Sequence, residues 1–369
     1  MGKLRRAIGL MSGTSMDGID VALLDTDGED RVERVGGRTF PYPAQFRPLL
    51  VRAIGEARTL RLREERSDAL QRAERELTDL HARAVAGFLA EHKLERAAVD
   101  VIGFHGHTVL HRPERRLTVQ IGDGERLAGA TGIDVVYDMR AADCAAGGQG
   151  APLAPVYHRA LAAKLKERPV AVVNIGGVAN VTWIGREGHL IAFDTGPGSA
   201  MIDDWARRHT GKPCDENGAL AAAGRADRDL VKEYLKHSHF SALPPKSLDR
   251  NAFAIELVEH LPPADGAATL TAFAAAAVGR ALEHLPEEPL MWIMTGGGRK
   301  NRTLMSLIAG YVHNAVIPAE ALGLDGGLME AEAWAYLAVR SIRALPITFP
   351  ETTGVAAPLT GGVLARAPT

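Results

Sequence analysis

The sequence predicts an α/β protein built from two similarly organised domains. Strand-like and helix-like segments alternate along the 369 residues, which is typical of layered α/β folds. A strand, a glycine-containing turn and a second strand occur at 6–25 and again at 170–184. Because 369 residues are many for one core, we expect domains at 1–130 and 131–349, a final segment from about 350 that returns to the first domain, and a ligand cleft between them.

The individual elements follow from apolar spacing. Short apolar runs bounded by polar or glycine-rich turns predict strands at 4–11, 19–25, 32–40, 99–104, 117–121, 133–137, 170–175, 178–184, 189–194 and 290–295. Apolar residues at three- and four-residue spacing predict helices at 67–93, 152–166, 200–209, 228–236, 267–285, 301–309 and 327–344. Ser67 is expected to cap the first of these helices.

Composition excludes several classes of function. The formal net charge of −2 gives no basic excess for nucleic acid, and no apolar run approaches the length of a membrane span. The two cysteines have neither a disulfide pattern nor zinc-binding spacing. No signal peptide is visible, so we expect a cytoplasmic protein with small-molecule partners.

The turn at 12–18, Ser-Gly-Thr-Ser-Met-Asp-Gly, carries more hydrogen-bonding groups than a hairpin needs. Its glycines allow close approach of the backbone to a ligand, and its N–H and hydroxyl groups could bind an anion. Asp17 or Asp20 would suit Mg²⁺, which binds few carboxylates and keeps waters. A polar hairpin turn explains the same residues, so both interpretations stay open.

Three further stretches could carry chemistry. Asp194 is predicted at the tip of an apolar strand, before a Thr-Gly-Pro-Gly turn, where it would serve as a general base or as a cap. Glycines 296–298 lie between a strand and a helix and could pass under a nucleoside ring. His105 and His107 are predicted on one strand face, as polar ligand contacts or as a zinc site.

Nine separated stretches between residues 8 and 335 together resemble one family. They include GLMSGTSMDGID, GFHGHTV, GGQGAPLAP, NIGGVANVT, FDTGPGS, PPKS and TGGGRKN. In this order they are similar to the anhydro-N-acetylmuramic acid kinases, which belong to the actin-like and hexokinase-like ATPases. The resemblance implies two actin-like (ribonuclease H-like) α/β domains. It also implies ATP-dependent hydrolytic opening of 1,6-anhydro-N-acetylmuramic acid with phosphorylation of O6, in cell-wall recycling.

The resemblance also implies site residues, with ATP and Mg²⁺ as cofactors and a homodimer as the assembly. Asp194 would be the general base, and Asp17 or Asp20 would face Mg²⁺. Nucleotide and phosphate contacts would come from Ser12, Gly13, Thr14, Ser15, Met16, Asp17, Gly18, Asn174, Gly176, Gly177, Gly296, Gly297 and Gly298. Sugar and lactyl-carboxylate contacts would come from His105, Gly106, Thr108, Arg140, Gln149 and Glu330.

Two other classes of function remain as alternatives. A zinc-dependent sugar hydrolase would use His105 and His107 as metal ligands. A degenerate actin-like protein would sense a nucleotide or sugar without turnover. Metal analysis would distinguish the first alternative from a magnesium-dependent kinase. Intact Asp194 and an intact opening turn argue against the second.

Overall fold

The computed structural model describes residues 2–13, 16–249 and 252–368. The chain divides into two compact units: the first unit is Met1–Lys164 with Glu330–Thr369, and the second unit is Leu165–Met329. The sequence analysis puts these limits at 130/131 and near 350. The observed limits differ because strand Val135–Tyr137 pairs within the first sheet, and because the helix that begins at Met329 packs on the same sheet.

The strands of the first unit form a six-stranded sheet and a separate hairpin, whereas those of the second unit form one five-stranded sheet. In chain order the strands are β1 (Arg5–Met11), β2 (Gly18–Thr26), β3 (Val32–Pro41), β4 (Val101–Phe104), β5 (His107–Arg112), β6 (Leu117–Ile121), β7 (Val135–Tyr137), β8 (Val170–Ile175), β9 (Val178–Ile184), β10 (Leu190–Pro197), β11 (Met291–Thr295), β12 (Ala315–Pro318) and β13 (Val363–Ala365).

The two sheets have the same internal order. In the first unit the order is β3-β2-β1-β4-β7, extended by β13, and in the second it is β10-β9-β8-β11-β12. In each, the first three strands are antiparallel neighbours and the next two are parallel to the first. The predicted α/β class with two similarly organised halves is therefore confirmed.

The helices cover these sheets. In chain order they are α1 (Phe46–Ala57), α2 (Asp68–Glu91), α3 (Gly124–Thr131), α4 (Ala141–Ala145), α5 (Pro155–Ala162), α6 (Ala200–Thr210), α7 (Ala219–Ala222), α8 (Arg228–Tyr234), α9 (Ser238–Ser241), α10 (Pro263–Gly279), α11 (Arg302–Tyr311), α12 (Met329–Ile342) and α13 (Pro350–Thr353). Within the described part of the chain, no helix is both long and apolar enough to cross a membrane.

Two facing glycines let α12 lie directly on the first sheet. Gly9 of β1 and Gly103 of β4 are register partners. A Cβ atom at Gly9 would overlap the carbonyl oxygen of Ala331, and one at Gly103 would overlap that of Trp334. Any side chain at either position would push the helix away from the sheet. The glycine pair therefore makes the last part of the chain an integral layer of the first unit.

The second unit is centred on α10. This helix is buried from Gly266 to Val278 and has no polar stripe, because it lies among α6, α7, α8, α11 and the sheet. Its aromatic neighbours include Tyr234, stacked on Phe273 at 4.6 Å between ring centroids. The apolar sequence of this segment therefore reflects a central helix.

The predicted elements agree with the structure except at a few positions. Ser67 caps α2 as expected, because its side chain accepts a hydrogen bond from the Leu70 N–H at 3.3 Å. The predicted helix at 267–285 ends earlier, at Gly279, and continues as a 3₁₀ turn. Unpredicted elements include α1, α3 and the edge strand β12, which has only four residues, Ala-Val-Ile-Pro.

Candidate active site

The opening turn of the first unit joins β1 to β2 and is fastened at both ends. The Met16 N–H donates to the Gly13 carbonyl at 3.1 Å, and Met16 has a φ of 53°, in the left-handed region. The Tyr42 N–H donates to the Asp17 carbonyl at 2.9 Å. Two of the predicted phosphate contacts, Thr14 and Ser15, lie outside the described residues. The described backbone of this turn is therefore fixed by one hydrogen bond within the turn and one from the segment after β3.

Ser12 lies inside the first unit, with 1 % of its surface exposed. The Tyr42 hydroxyl donates to Ser12 Oγ at 2.7 Å, and Ser12 Oγ lies 3.0 Å from His107 Nδ1. Burial lowers the pKa of His107 to about 4, so its imidazole is neutral at pH 7. A neutral Nδ1 can accept the Ser12 proton. The Ser12 side chain thus links the half-buried Tyr42 to the buried His107, a contact that the sequence gives no sign of.

The two candidate magnesium ligands have different surroundings. Asp17 is exposed in the turn, whereas Asp20 lies in β2 and its Oδ1 accepts a hydrogen bond from Thr39 Oγ1 at 2.5 Å. Among the described residues there is no group of three or more histidine, cysteine or carboxylate side chains that could hold a metal. Mg²⁺ needs only one or two carboxylates when phosphate oxygens and water complete its shell. The chemistry of this pair therefore fits a nucleotide-bound Mg²⁺.

His105, Thr108 and Arg140 lie together in the first unit. The His105 Nε2 atom is 3.4 Å from both Thr108 Oγ1 and Arg140 Nε. The Arg140 guanidinium donates to the Gly150 carbonyl at 2.9 Å and lies 5.2 Å from the ring centroid of Trp334. Burial and the Arg140 charge keep the pKa of His105 well below its usual value. Three of the six predicted sugar contacts therefore meet in the fold.

The predicted strand face shared by His105 and His107 is wrong. β4 ends at Phe104 and β5 begins at His107, while Gly106 between them has a φ of 69°. This left-handed residue turns the chain, so the two imidazoles do not project from one strand. His107 binds Ser12, and His105 contacts Arg140. The arrangement gives no support to the zinc interpretation.

The Gly-Gly-Gln-Gly loop is fixed by two side chains that sequence reasoning missed. Asp143 is buried, and its carboxylate accepts hydrogen bonds from the Gly150 N–H and the Thr353 hydroxyl, both at 2.6 Å. The Gln149 N–H donates to the Thr353 carbonyl at 2.6 Å. Thr353 is far away in sequence, at the start of TGVAAPLTGGVL, a stretch that also fits the family resemblance but gives no sign of this contact. Gln149 is thus positioned by the last part of the chain.

The acidic start of α12 divides into two roles. Glu330 is exposed in the first turn of the helix. Glu332 is buried, and its carboxylate accepts from Arg34 Nε at 2.5 Å and from the Tyr157 hydroxyl at 2.7 Å. A buried carboxylate needs such partners to remain charged. Glu332 therefore fixes the helix, whereas Glu330 is the accessible member of the pair.

In the second unit, Gly176 and Gly177 form the tight turn between β8 and β9. Their carbonyls accept hydrogen bonds from the Ser199 N–H at 2.8 Å and the Gly198 N–H at 2.9 Å, respectively. A Cβ atom at Gly198 would overlap the Gly176 carbonyl oxygen. The turn therefore lies directly against the segment that follows β10.

The sequence predicts Asp194 at the tip of a strand, but in the structure it lies inside β10. The strand continues to Pro197 past an irregularity between Asp194 and Gly196. Asp194 is 8 % exposed, and its Oδ2 accepts the Leu248 N–H at 2.7 Å. Its own N–H donates to the Lys246 carbonyl at 2.9 Å, and its carbonyl accepts from His239 Nε2 at 2.8 Å. A backbone donor to the carboxylate favours the ionised form.

The triple-glycine loop meets the end of β8. Thr295 Oγ1 lies 3.4 Å from Asn174 Oδ1, and a Cβ atom at Gly296 would overlap the same amide oxygen. Gly298 packs on Ile175, whereas a Cβ atom at Gly297 would meet nothing within 4 Å. Asn174 and glycines 296–298 thus form one patch of small groups and backbone.

Two further contacts of this loop were missed. Arg299 donates to the Gly296 carbonyl at 2.7 Å and pairs with Glu320 at 2.6 Å, which fixes the loop. A Cβ atom at Gly218 would overlap Asn301 Oδ1, the atom that caps α11. Gly218 ends GKPCDENG, another of the nine stretches that carry the family resemblance. Its positive φ of 74° is the physical signal that only the backbone shows.

Comparison with known proteins decides which family has this arrangement. The model of the family described as anhydro-N-acetylmuramic acid kinase matches residues 5–367. The chain belongs to this family. Curated anhydro-N-acetylmuramic acid kinases include one from Methylobacterium nodulans, 53% identical over 98% of this chain and 100% of its own length. One from Agrobacterium fabrum is 52% identical over 100% of both chains, and one from Rhizorhabdus wittichii is 54% identical over 98% of both.

Solved structures resemble the chain only distantly. Component A of the (R)-2-hydroxyglutaryl-CoA dehydratase of Acidaminococcus fermentans matches with a TM-score of 0.49 and 12% identity, over 91% of this chain and 98% of its own. The polyphosphate/ATP-glucomannokinase of an Arthrobacter species matches with a TM-score of 0.38 and 12% identity, over 91% and 98% of the two chains.

Proposed function

We propose that the chain opens the 1,6-anhydro ring of 1,6-anhydro-N-acetylmuramic acid with water and transfers the γ-phosphoryl group of ATP to O6. The products are N-acetylmuramic acid 6-phosphate and ADP, in peptidoglycan recycling. Full-length membership of the kinase family supports the reaction. The observation that carries it in the structure is the Asp194 carboxylate, nearly buried and hydrogen-bonded by the Leu248 N–H.

Asp194 acts as the general base in this proposal. It takes a proton from water, whose oxygen attacks the anomeric carbon of the sugar. The bond between the anomeric carbon and O6 breaks, and O6 forms a bond to the γ-phosphorus of ATP. The bond from that phosphorus to the β,γ-bridging oxygen then breaks, and ADP leaves. The hydrogen bond from the Leu248 N–H orients the carboxylate before the water arrives.

In the first unit, the opening turn is the proposed phosphate grip. Its contacts would come from Ser12 to Gly18, with Ser12 contributing through the backbone because its hydroxyl is engaged by Tyr42 and His107. Mg²⁺ would be held by Asp17 or Asp20 and would neutralise phosphate charge during transfer. In the second unit, Asn174, Gly176, Gly177 and glycines 296–298 are the proposed nucleotide contacts.

The proposed sugar contacts lie mostly where the first unit brings His105, Thr108 and Arg140 together. Arg140 is the proposed ligand of the lactyl carboxylate, because a guanidinium binds a carboxylate through two parallel hydrogen bonds. Gly150 and Trp334 fix its orientation. Gly106, Gln149 and Glu330 complete the proposed set. A homodimer and a cytoplasmic location belong to this proposal through the family resemblance.

A coupled ADP-release assay with 1,6-anhydro-N-acetylmuramic acid tests the reaction. We expect ATP- and sugar-dependent turnover by the parent chain and a loss of at least about 10³-fold in kcat for Asp194→Asn, because the amide cannot accept the proton. Asp229→Asn is the matched control, since Asp229 is an exposed carboxylate of the same unit that pairs with Lys232. No turnover by the parent chain overturns the reaction, and full activity of Asp194→Asn overturns the assignment of the base.

A further inference from the structure

The PPKS stretch contains a buried lysine, Lys246, whose backbone carbonyl accepts the Asp194 N–H. Lys246 is 8 % exposed. Its Nζ atom lies 2.9 Å from the carbonyl oxygens of His239 and Ala242 and 3.2 Å from His284 Nε2. An ammonium group has three N–H donors, so these acceptors satisfy all of them. The Phe193 ring, next to Asp194 in β10, lies with its centroid 5.5 Å from Nζ.

These contacts tie together the two ends of the 239–248 segment, which contacts Asp194. Lys246 joins its own residue to α9 through His239 and to the residue after α9 through Ala242. The same segment carries three partners of Asp194: His239 Nε2, the Lys246 carbonyl and the Leu248 N–H. The ammonium therefore holds together the segment that holds the carboxylate.

The charged and titratable groups around Lys246 come from two elements besides its own. Arg280 and Glu283, which pair at 2.7 Å, and His284 lie on the 3₁₀ turn after α10, and His239 lies on α9 with His237 before it. Burial is the main reason that the pKa of His239 falls to about 4 and that of His284 falls below its usual value. Neutral His284 can accept from the ammonium, and neutral His239 can donate from Nε2 to Asp194.

A charged group is costly at this position unless it does something that an apolar side chain cannot. Burial lowers the pKa of Lys246 to about 8, because the ammonium form is less stable in this buried environment than in water. A methionine of similar length would fill the space without that cost. It would leave two carbonyls without donors, and the segment would be free to move away from Asp194.

We propose that Lys246 is a positioning residue that fixes the 239–248 segment so that the Leu248 N–H stays on the Asp194 carboxylate. The inference rests on the proposed role of Asp194 as the general base. The Lys246 ammonium acts through the backbone that it anchors.

Lys246→Met tests this role, with Lys236→Met as the matched control, because Lys236 is an exposed lysine of the same unit that pairs with Glu233. We expect kcat to fall roughly tenfold or more while KM for both substrates stays within about twofold, since only the base is misplaced. The acid limb of the pH profile of kcat/KM should move upward by about one pH unit, because a carboxylate without its N–H donor is protonated more easily. Lys236→Met should match the parent in all three measurements.

Hydrogen exchange in the absence of substrates gives a second readout that does not need turnover. Peptides covering 243–249 should exchange at least about tenfold faster in Lys246→Met, while peptides of the first unit remain unchanged. If Lys246→Met does not fold, Lys246→Gln, which keeps two N–H donors, undergoes the same measurements. An acid limb that stays in place, with or without a lower kcat, overturns the proposal, as does unchanged exchange at 243–249. A parent chain that is inactive overturns the proposed function, and the exchange experiment then still decides whether Lys246 anchors the segment.

Discussion

The two units carry a hairpin at the same place in sheets of the same order, but the two turns are built from different groups. The described part of the turn between β1 and β2 has backbone hydrogen bonds at Met16 and Asp17, and Ser12 adds side-chain contacts to Tyr42 and His107. The turn between β8 and β9 is Gly176-Gly177 and depends on backbone contacts to Gly198 and Ser199. The same strand order thus accommodates one turn with a side-chain network and one turn with contacts between backbone groups.

The difference has a consequence for stability. A side-chain network can be weakened in steps and responds to protonation, because each member is a titratable or hydrogen-bonding group. The backbone contact at the Gly176-Gly177 turn has no such intermediate states, because a Cβ atom at Gly198 would overlap the Gly176 carbonyl oxygen. The stability of the first unit should therefore depend on pH, and that of the second unit should depend on the side-chain volume at the glycine turn.

Acid is expected to have the largest effect and to act mainly on the first unit. Burial lowers the pKa of His81 and His107 to about 4 and of His158 to about 3, and burial with the Arg140 charge lowers the pKa of His105 well below its usual value. Histidine in the unfolded chain has a pKa of about 6.5. The neutral folded form is therefore fully stable above pH 6.5 and loses stability as the pH falls from 6.5 toward 4.

At pH 5 the loss should be about 1–2 kcal/mol per buried histidine. Urea unfolding at pH 7 and pH 5, followed by hydrogen exchange in peptides of each unit, measures it. The second unit, in which His239 is the comparable buried group, should lose less. His313→Gln is a control, since this side chain is 81% exposed and should leave the pH dependence unchanged. Equal losses in the two units would contradict the comparison.

A methyl group at Gly198 is expected to have the next largest effect. Its Cβ atom would overlap the Gly176 carbonyl oxygen, and both partners are backbone, so Gly198→Ala should lower the free energy of unfolding of the second unit by about 2–3 kcal/mol. Urea unfolding measures this loss. Gly310→Ala in α11 is the matched control, because a Cβ atom there meets nothing within 4 Å and alanine favours a helix. Similar urea midpoints for Gly198→Ala and Gly310→Ala would show that the turn can move to accommodate the methyl group, which contradicts this prediction.

Removal of the Ser12 hydroxyl is expected to have the smallest effect. Ser12→Ala leaves the Tyr42 hydroxyl and His107 Nδ1 without their shared partner, which should cost about 1–2 kcal/mol in the free energy of unfolding. Tyr42→Phe removes one end of the same network. If the network is one unit, the double variant should lose less than the sum of the two single losses in urea unfolding. Additive losses would refute a coupled network.

The sequence was sufficient for elements that depend on local spacing. The periodic apolar residues of α2 and its serine cap predicted that helix almost to its ends, and the paired strand–turn–strand segments predicted the two sheets. It was not sufficient where a residue acts through a distant one. Nothing near Thr353 indicates that it fixes Gln149, and nothing in PPKS indicates that Lys246 is buried behind Asp194.

The candidate site shows the same limit. Residue types identified Asp194, Arg140 and His105 as chemically suitable, and the fold brings His105 and Arg140 within 3.4 Å. The strand position of Asp194 was misjudged because Thr-Gly-Pro-Gly looks like a turn, whereas β10 continues through Thr195 and Gly196 to Pro197. Glycine and proline interrupt most strands, but pairing with β9 overrides that tendency here.

The glycine pair that seats α12 bears on how the chain is made. The first unit starts with β1, yet the face of its sheet at Gly9 and Gly103 is covered only when residues 330–369 are available. The second unit is complete in sequence by residue 329. During synthesis, domains fold as their residues emerge. The unit that is started first is therefore the one finished last, and the sheet around Gly9 and Gly103 waits for its covering helix while the inserted unit folds.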